Sequence, residues 1–153
     1  MRVGRNAMDL SRSWDLILDD LERDVAKQFA TDGRVFGTPW QPLAASTVAS
    51  KRRKGVADPT KILVETGAMR ASFAGGPDHV RRVNGSSAQW GSTDPKVGFH
   101  HGRRRGGDLP RRPIVELDEG RRRAIVRVLQ EGLFRDTGGY VRSPGGQFAS
   151  LVS

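Results

Sequence analysis

The chain has 153 residues, and 26 Lys and Arg against 17 Asp and Glu give it a formal charge of +9 at pH 7. This length is typical of a single domain. Cysteine is absent, which excludes a disulfide scaffold, a thiol nucleophile and a cysteine-ligated zinc site. No run approaches the ~20 apolar residues of a membrane helix, so we expect no membrane partner. The positive charge favours acidic proteins or nucleic acid as partners.

The first predicted element is a helix over residues 9–30. Apolar residues recur there at spacings of three and four, which lines one face of a helix. These residues are Leu10, Trp14, Ile17, Leu21, Val25 and Phe29. The acidic residues between them predict a solvated opposite face. Two interpretations of the apolar face are open: it packs on a sheet of the same chain, or part of it meets another subunit.

A loop and a short helix follow. Residues 33–43 are rich in Gly and Pro, and Trp40 lies between two prolines, so we predict an ordered loop anchored by a buried Trp40 ring. Residues 43–54 predict a short helix that ends in a secondary basic patch of Lys51, Arg52, Arg53 and Lys54. The simplest interpretation of this patch is a solvated cluster of cations at a helix C-terminus, where the helix dipole favours them.

Two stretches predict strands. In residues 61–73, an apolar run is followed by Met69, Ala71 and Phe73 in alternation. In residues 79–93, two strand-like segments flank Asn84 and Gly85, the dipeptide that most readily forms a tight hairpin turn. Together these stretches predict a small antiparallel sheet of three to four strands.

The remaining elements complete the predicted fold class, which is α+β. Pro113 begins a second long helix over residues 114–133, because proline is tolerated in a first helical turn. The small sheet packs against the N-terminal and C-terminal long helices, with flexible loops between the elements. We expect residues 1–133 to form one α+β domain and residues 134–153 to form a flexible C-terminal arm.

A search for catalytic patterns identifies none. Adjacent histidines His100 and His101 suggest a metal-dependent nuclease, but no further ligand follows at a suitable spacing. Neither a phosphate-binding GxxxxGK[ST] loop nor a GxSxG nucleophile turn occurs. We therefore predict that the protein is not an enzyme, and we assign no catalytic residue, no cofactor and no metal.

The strongest candidate site is a basic stretch in residues 100–112. Its five arginines lie within ten residues: Arg103, Arg104, Arg105, Arg111 and Arg112. Guanidinium groups suit both phosphate and carboxylate. Three interpretations are open: phosphate contacts to DNA without base specificity, a solvated loop, or an interface with an acidic protein ring.

Five short motifs, taken in order, resemble the phage virion-morphogenesis or tail-completion family. They are a Trp-x-Pro-Leu segment, a Leu-x-x-Thr-Gly-x-x-x-x-Ser segment, a Gly-Ser/Thr strand end, a His-x-Gly-type turn and a Pro-x-Arg-Pro-aliphatic helix start. In this chain they fall on Trp40, Pro42 and Leu43; on Leu63, Thr66, Gly67 and Ser72; on Gly91 and Ser92; on His101 and Gly102; and on Pro110, Arg112, Pro113 and Ile114. Each motif is short, and it is their order that makes the match specific.

The resemblance implies a structural protein in the neck or head-proximal tail of a tailed bacteriophage, with host cytoplasm as the place of assembly. It implies self-association into a ring, commonly six-fold, around the DNA channel. The implied partners are a head-side connector or stopper protein and a tail terminator or tail tube protein, with nonspecific DNA contact in the channel. The five arginines would face the channel or an adjoining ring. A small basic nucleic-acid-binding accessory protein is the alternative.

Overall fold

The computed structural model describes residues 9–37, 39–101, 110–136, 140–142 and 148–150. Within them the chain forms helices and two separate two-stranded antiparallel sheets, so the mixed α+β class is confirmed. The elements are α1 (Ser11–Ala30), α2 (Ala45–Arg53), α3 (Ala68–Ala71), β1 (His79–Val83), β2 (Ala88–Ser92), α4 (Pro95–His100), α5 (Glu119–Asp136), β3 (Tyr140–Arg142) and β4 (Phe148–Ser150).

Helix α1 matches its prediction closely. It begins where the Asp9 carboxylate accepts a hydrogen bond from the Ser11 N–H at 2.9 Å, and it ends at Ala30. Ile17, Val25 and Phe29 of the predicted stripe are buried, and Leu10, Trp14 and Leu21 are partly buried. The helix also buries three residues outside the stripe: Ser13, Leu18 and Gln28. The helix therefore packs on its own chain along most of the stripe.

The acidic face of α1 is less solvated than the sequence predicts. Arg81 on β1 forms ion pairs with Asp15 at 3.0 Å, with Asp19 at 2.9 Å and with Glu22 at 2.8 Å. Charge-assisted contacts of this kind fix the orientation of two elements. These carboxylates, Glu22 first, raise the pKa of the Arg81 guanidinium. Arg81 thus helps to hold the hairpin against α1, together with a hydrogen bond from the Leu10 N–H to the Gly85 carbonyl at 2.9 Å.

The hydrophobic core lies where α1 meets the loops that follow α1 and precede α5. Its buried members come from segments far apart in the chain: Val25, Phe29, Phe36, Trp40, Ile62, Phe73 and Ile114. The predicted burial of Trp40 is confirmed, and its ring meets Phe29 edge-on with centroids 5.5 Å apart. A Cβ at Gly33, where φ is +94°, would lie 2.5 Å from the Trp40 ring, so only glycine fits beside it.

The hairpin prediction is confirmed, but its turn differs. β1 and β2 pair with Val83 opposite Ala88, which leaves a four-residue loop rather than a two-residue turn. The Asn84 carboxamide oxygen accepts hydrogen bonds from the Ser86 and Ser87 N–H groups at 3.0 and 2.8 Å. A side-chain acceptor thus closes the loop in the manner of an Asx turn.

The predicted sheet of three to four strands is wrong. Within the described residues β1 pairs with β2 alone, and β3 pairs separately with β4. The stretch predicted as a further strand contains the short helix α3 instead. Gly67 takes a φ of +82° and its carbonyl accepts from the Ala71 N–H at 2.9 Å, which closes a helical turn. Three alternating apolar residues are too short a pattern to distinguish a strand from one turn of helix.

The predicted start of the last helix is also wrong, because α5 begins at Glu119 rather than after Pro113. The backbone ahead of it is used in contacts with distant segments: the Pro113 carbonyl accepts from two side chains, and the Ile114 N–H donates to His101 at 3.1 Å. The Asp118 carboxylate accepts from the Arg121 N–H at 2.7 Å, as an N-cap residue does. Residues 134–136 of the predicted arm continue α5; the parts of the arm at 137–139, 143–147 and 151–153 lie outside the described residues.

Helix α4 lies in a stretch for which the sequence predicts neither helix nor strand. Asp94 caps it by accepting from the Lys96 N–H at 2.9 Å, and Pro95 occupies its first turn. Both features are helix-start signals. The six-residue helix places the side chains of Lys96 and His100 next to α2.

Helices α1 and α5 cross at a glycine. A Cβ at Gly132 would lie 2.1 Å from the Ser13 hydroxyl oxygen and 3.1 Å from a Leu10 methyl carbon. Gly120 in the same helix has room, since its nearest neighbour would be an Asp118 oxygen at 3.4 Å. The close approach of the two helices therefore depends on Gly132.

We expect Gly132→Ala to destabilise the protein although alanine is the better helix former, because the added methyl collides with Ser13. Gly120→Ala, the matched control, should be neutral or stabilising by up to ~1 kcal/mol. Urea denaturation measures both. Adding Ser13→Ala to Gly132→Ala should recover part of the loss; a Gly132→Ala variant as stable as Gly120→Ala would contradict the crossing.

Candidate interaction surfaces

The motif residues on which the resemblance rests lie close together in the fold. Trp40 Nε1 donates to the Pro113 carbonyl at 2.9 Å across 73 positions of sequence. The Ser72 and Ser92 hydroxyls are 2.7 Å apart and join two further motifs. The His101 ring accepts from the Ile114 N–H, which joins the His-Gly turn to the last motif. Trp40, Pro113 and Ile114 are buried, whereas Pro42 is exposed.

Arg112 is placed differently from its prediction. Its side chain is buried, with 5% of the residue's surface exposed, and its guanidinium forms hydrogen bonds within the chain. Its Nε and Nη2 atoms donate to the Gln41 carbonyl at 3.1 and 2.9 Å, and Nη2 also reaches the Pro42 carbonyl at 3.3 Å. Arg112 therefore joins two motif segments as a structural clamp. Burial lowers the pKa of its guanidinium.

The other members of the arginine stretch differ from Arg112. Arg111 is on the surface, where its Nη2 atom donates to the Glu116 carboxylate at 2.9 Å. Its guanidinium is exposed to solvent and is paired with one carboxylate of the chain. Arg103, Arg104 and Arg105 lie outside the described residues.

The secondary basic patch also contains both buried and exposed cations. Lys51 is buried, and its Nζ atom donates to the carbonyls of Lys61 and Val64, both at 2.6 Å. The two carbonyls flank Leu63, whose φ of +57° is unusual for a residue other than glycine. Lys51 thus holds a strained turn in place, and its prediction as a solvated surface cation is wrong.

The rest of the patch is on the surface. Arg52 and Arg53 are exposed, and Lys54 is exposed and forms an ion pair with Glu65 at 2.8 Å. Lys54 donates the hydrogen bond that lowers the pKa of the Glu65 carboxyl. The predicted surface patch therefore consists of Arg52, Arg53 and Lys54.

Two grooves line the surface around these motifs. The first, which we call the basic groove, has a volume of about 650 Å³ and lies between α2, α4 and the turn at residues 63–69. Its charged walls carry four cations and two carboxylates: Lys51, Lys54, Lys96, Arg112, Glu65 and Asp94. Leu43, Gly67 and Pro110, three of the motif residues, also line it.

The second groove, which we call the apolar groove, has a volume of about 900 Å³. The rings of Phe73 and Trp90 meet there with centroids 5.6 Å apart. Phe99 and Leu117, also in its lining, leave 46% and 36% of their surface exposed. Exposed apolar side chains grouped in a concave surface are typical of an interaction site.

Two residues for which the sequence gives no signal join distant segments of the body. Gln28 is fully buried: its Nε2 atom donates to the Pro113 carbonyl at 3.0 Å, and its Oε1 atom accepts from the Val35 N–H at 2.8 Å. Arg121 pairs with Asp24 and lies 4.4 Å from the centre of the Phe36 ring. Both residues look like solvated helix positions in the sequence, because their partners are far away in the chain.

The described residues contain no grouping of three or more His, Asp or Glu side chains that could hold a metal ion. None of the helices in the described ranges combines the length and apolar character that crossing a bilayer requires. Comparison with protein-family models, with curated proteins and with solved structures finds no match to this chain.

We expect Lys51→Met to destabilise the protein by about 1–3 kcal/mol, because it leaves two carbonyl oxygens without their donor. Arg52→Met, which removes the same charge one residue along α2, is the control and should stay within about 0.5 kcal/mol of wild type. Chemical denaturation followed by circular dichroism measures both. Equal effects of the two substitutions would show that Lys51 has no structural role.

Proposed function

We propose that this chain is a structural, non-enzymatic protein of a tailed bacteriophage, a ring-forming neck or tail-completion adaptor that joins the tail to the head connector. The observation that carries the proposal is the convergence of the motif segments. Residues that resemble the tail-completion family at separate places in the chain meet through hydrogen bonds, among them Trp40 to Pro113, Arg112 to Pro42, and Ser72 to Ser92.

This convergence supports the resemblance for a physical reason. Buried polar groups must find partners, so the residues at both ends of such a hydrogen bond are needed together for one fold. A chance agreement of short motifs gives no reason for them to contact one another. The motif residues therefore help to determine the fold of this chain, and this supports the proposal.

The apolar groove is the surface that we assign to self-association. Ring subunits must bury a patch on each flank, and Phe99 and Leu117 leave much of their apolar surface in solvent. The partner that fits is a second copy of the chain, in a ring that is commonly six-fold in the family. Burial of these two side chains would contribute to the association free energy through the hydrophobic effect.

The exposed cations are assigned to the neighbours of such a ring in the virion neck. Arg111, Arg52 and Arg53 can face DNA in the channel, a head-side connector or stopper protein, or a tail terminator or tail tube protein. Their exposure also favours the second candidate, a small basic nucleic-acid-binding accessory protein. That candidate predicts duplex binding that weakens steeply with salt and whose salt slope falls when these arginines are removed.

The ring proposal predicts a discrete oligomer by light scattering, alone or with the neighbouring virion proteins. Phe99→Glu should reduce it to monomers, because a charge in a closed apolar interface is costly. Val126→Glu places the same charge on an equally exposed apolar residue outside the groove, and it should assemble like wild type. In a phage that encodes the chain, deletion should leave heads and tails unjoined.

Two results together would contradict the adaptor role. A chain that stays monomeric with connector and tail tube proteins, and whose deletion leaves tails attached to heads, would overturn the adaptor role. If such a chain bound duplex DNA with a steep salt slope, the accessory-protein candidate would take its place. DNA binding by a chain that also forms rings agrees with the adaptor, since a channel protein contacts DNA.

A further inference from the structure

The basic groove contains two buried cations whose charge is not paired within the described residues. Lys51 and Arg112 have 6% and 5% of their surface exposed. Their recorded partners are backbone carbonyls, which satisfy hydrogen bonds but carry no net charge. Burial of a cation is costly unless an anion compensates it. The groove therefore carries a positive potential at its base.

The remaining charges of the groove do not cancel this potential. Lys54 and Glu65 pair with each other at 2.8 Å. Asp94 is used as the cap of α4, and Lys96 lines the groove beside it. Glu65 also interacts electrostatically with Lys51 and Lys96, but two carboxylates face four cations, so the groove keeps a net positive charge. Lys51 and Arg112 each also have donor capacity beyond the hydrogen bonds recorded, because an ammonium carries three N–H bonds and a guanidinium five.

The depth of these cations limits what can reach them. Proteins neutralise the phosphates of duplex DNA with Lys and Arg side chains that project from the surface. Lys51 and Arg112 project into a groove, and only a slender group such as a side-chain carboxylate can approach them there. Duplex DNA is therefore the less suitable occupant.

The uncharged part of the lining points to a peptide. Leu43, Leu63, Val64 and Met69 line the same groove as the two cations. Contact between this apolar wall and an aliphatic side chain buries apolar surface and favours binding. A phosphate backbone offers no such contact. A segment that alternates acidic and aliphatic side chains matches both parts of the lining.

We propose that the basic groove binds an acidic peptide segment of a protein partner. A Glu or Asp carboxylate lies against Lys51 and Arg112, and a neighbouring aliphatic side chain lies against the wall formed by Leu43 and Leu63. This site adjoins the apolar groove assigned to self-association at Asp94, but the other described lining residues of the two grooves differ. The proposal holds whether or not the chain forms a ring.

His100 supplies a local reporter for this site. Burial, together with the charges of Arg112 and His101, lowers the pKa of the His100 imidazole, while Asp94 acts in the opposite direction. A carboxylate bound in the groove adds negative charge near this ring and should raise its pKa. The ring C–H signals in a proton NMR titration follow this change directly.

The test uses the full chain and a fluorescein-labelled peptide in which glutamates alternate with leucine and valine. Thr47 is exposed and lines the groove in the first turn of α2, where a carboxylate suits the helix dipole. Thr47→Glu should therefore fold, and its own carboxylate should weaken peptide binding about tenfold or more. Thr47→Gln, which has the same shape without the charge, should bind within about twofold of wild type. Fluorescence anisotropy measures binding.

Two controls separate the site from general charge attraction. Arg52→Gln removes one positive charge of α2 outside the groove, so it should leave binding nearly unchanged, and the glutamine counterpart of the peptide should not bind. Saturation with the acidic peptide should raise the pKa of His100. The proposal is overturned if the peptide does not bind, if Thr47→Glu binds like Thr47→Gln, or if Arg52→Gln weakens binding as much as Thr47→Glu. It is also overturned if a short DNA duplex, rather than the peptide, shifts the His100 signals.

Discussion

The Pro113 carbonyl oxygen accepts hydrogen bonds from two side chains, Gln28 in α1 and Trp40 in the loop that follows it, and this shared acceptor joins three segments of the body. It fixes the segment before α5 against the core, where Ile114 is fully buried. The same arrangement prevents helix from starting at Pro113, because its carbonyl is already in use. One buried oxygen thus determines where the last helix begins and holds Trp40 in the core.

The positive charges of the chain belong to two physical classes. Lys51 and Arg112 are buried and hold backbone carbonyls of distant turns, so they stabilise the body from inside. Arg52, Arg53 and Arg111 are exposed. Net charge is therefore a poor guide to the binding surface here. The buried class contributes to the positive charge of the basic groove, and the exposed class adds to the positive charge of the surface.

Local patterns predicted the elements that depend on local interactions. The periodicity of α1, the hairpin of β1 and β2, and the anchoring role of Trp40 were all evident from residues near one another in the sequence. The features that the sequence analysis missed depend on contacts across many positions: Arg112 reaches Gln41 across 71 positions, and Gln28 reaches Pro113 across 85. No local pattern marks Gln28 or Lys51 as buried, so the sequence predicted the fold class better than the residues of the candidate site.

A double-mutant cycle tests whether Gln28 and Trp40 share the buried Pro113 carbonyl as their acceptor. Gln28→Met and Trp40→Phe each remove one donor and leave the Pro113 carbonyl with the other. The double variant leaves that carbonyl without either donor. If the acceptor is shared, the free energy of unfolding of the double variant should fall by about 1 kcal/mol or more beyond the sum of the two single losses. Additivity within about 0.5 kcal/mol would contradict a shared acceptor.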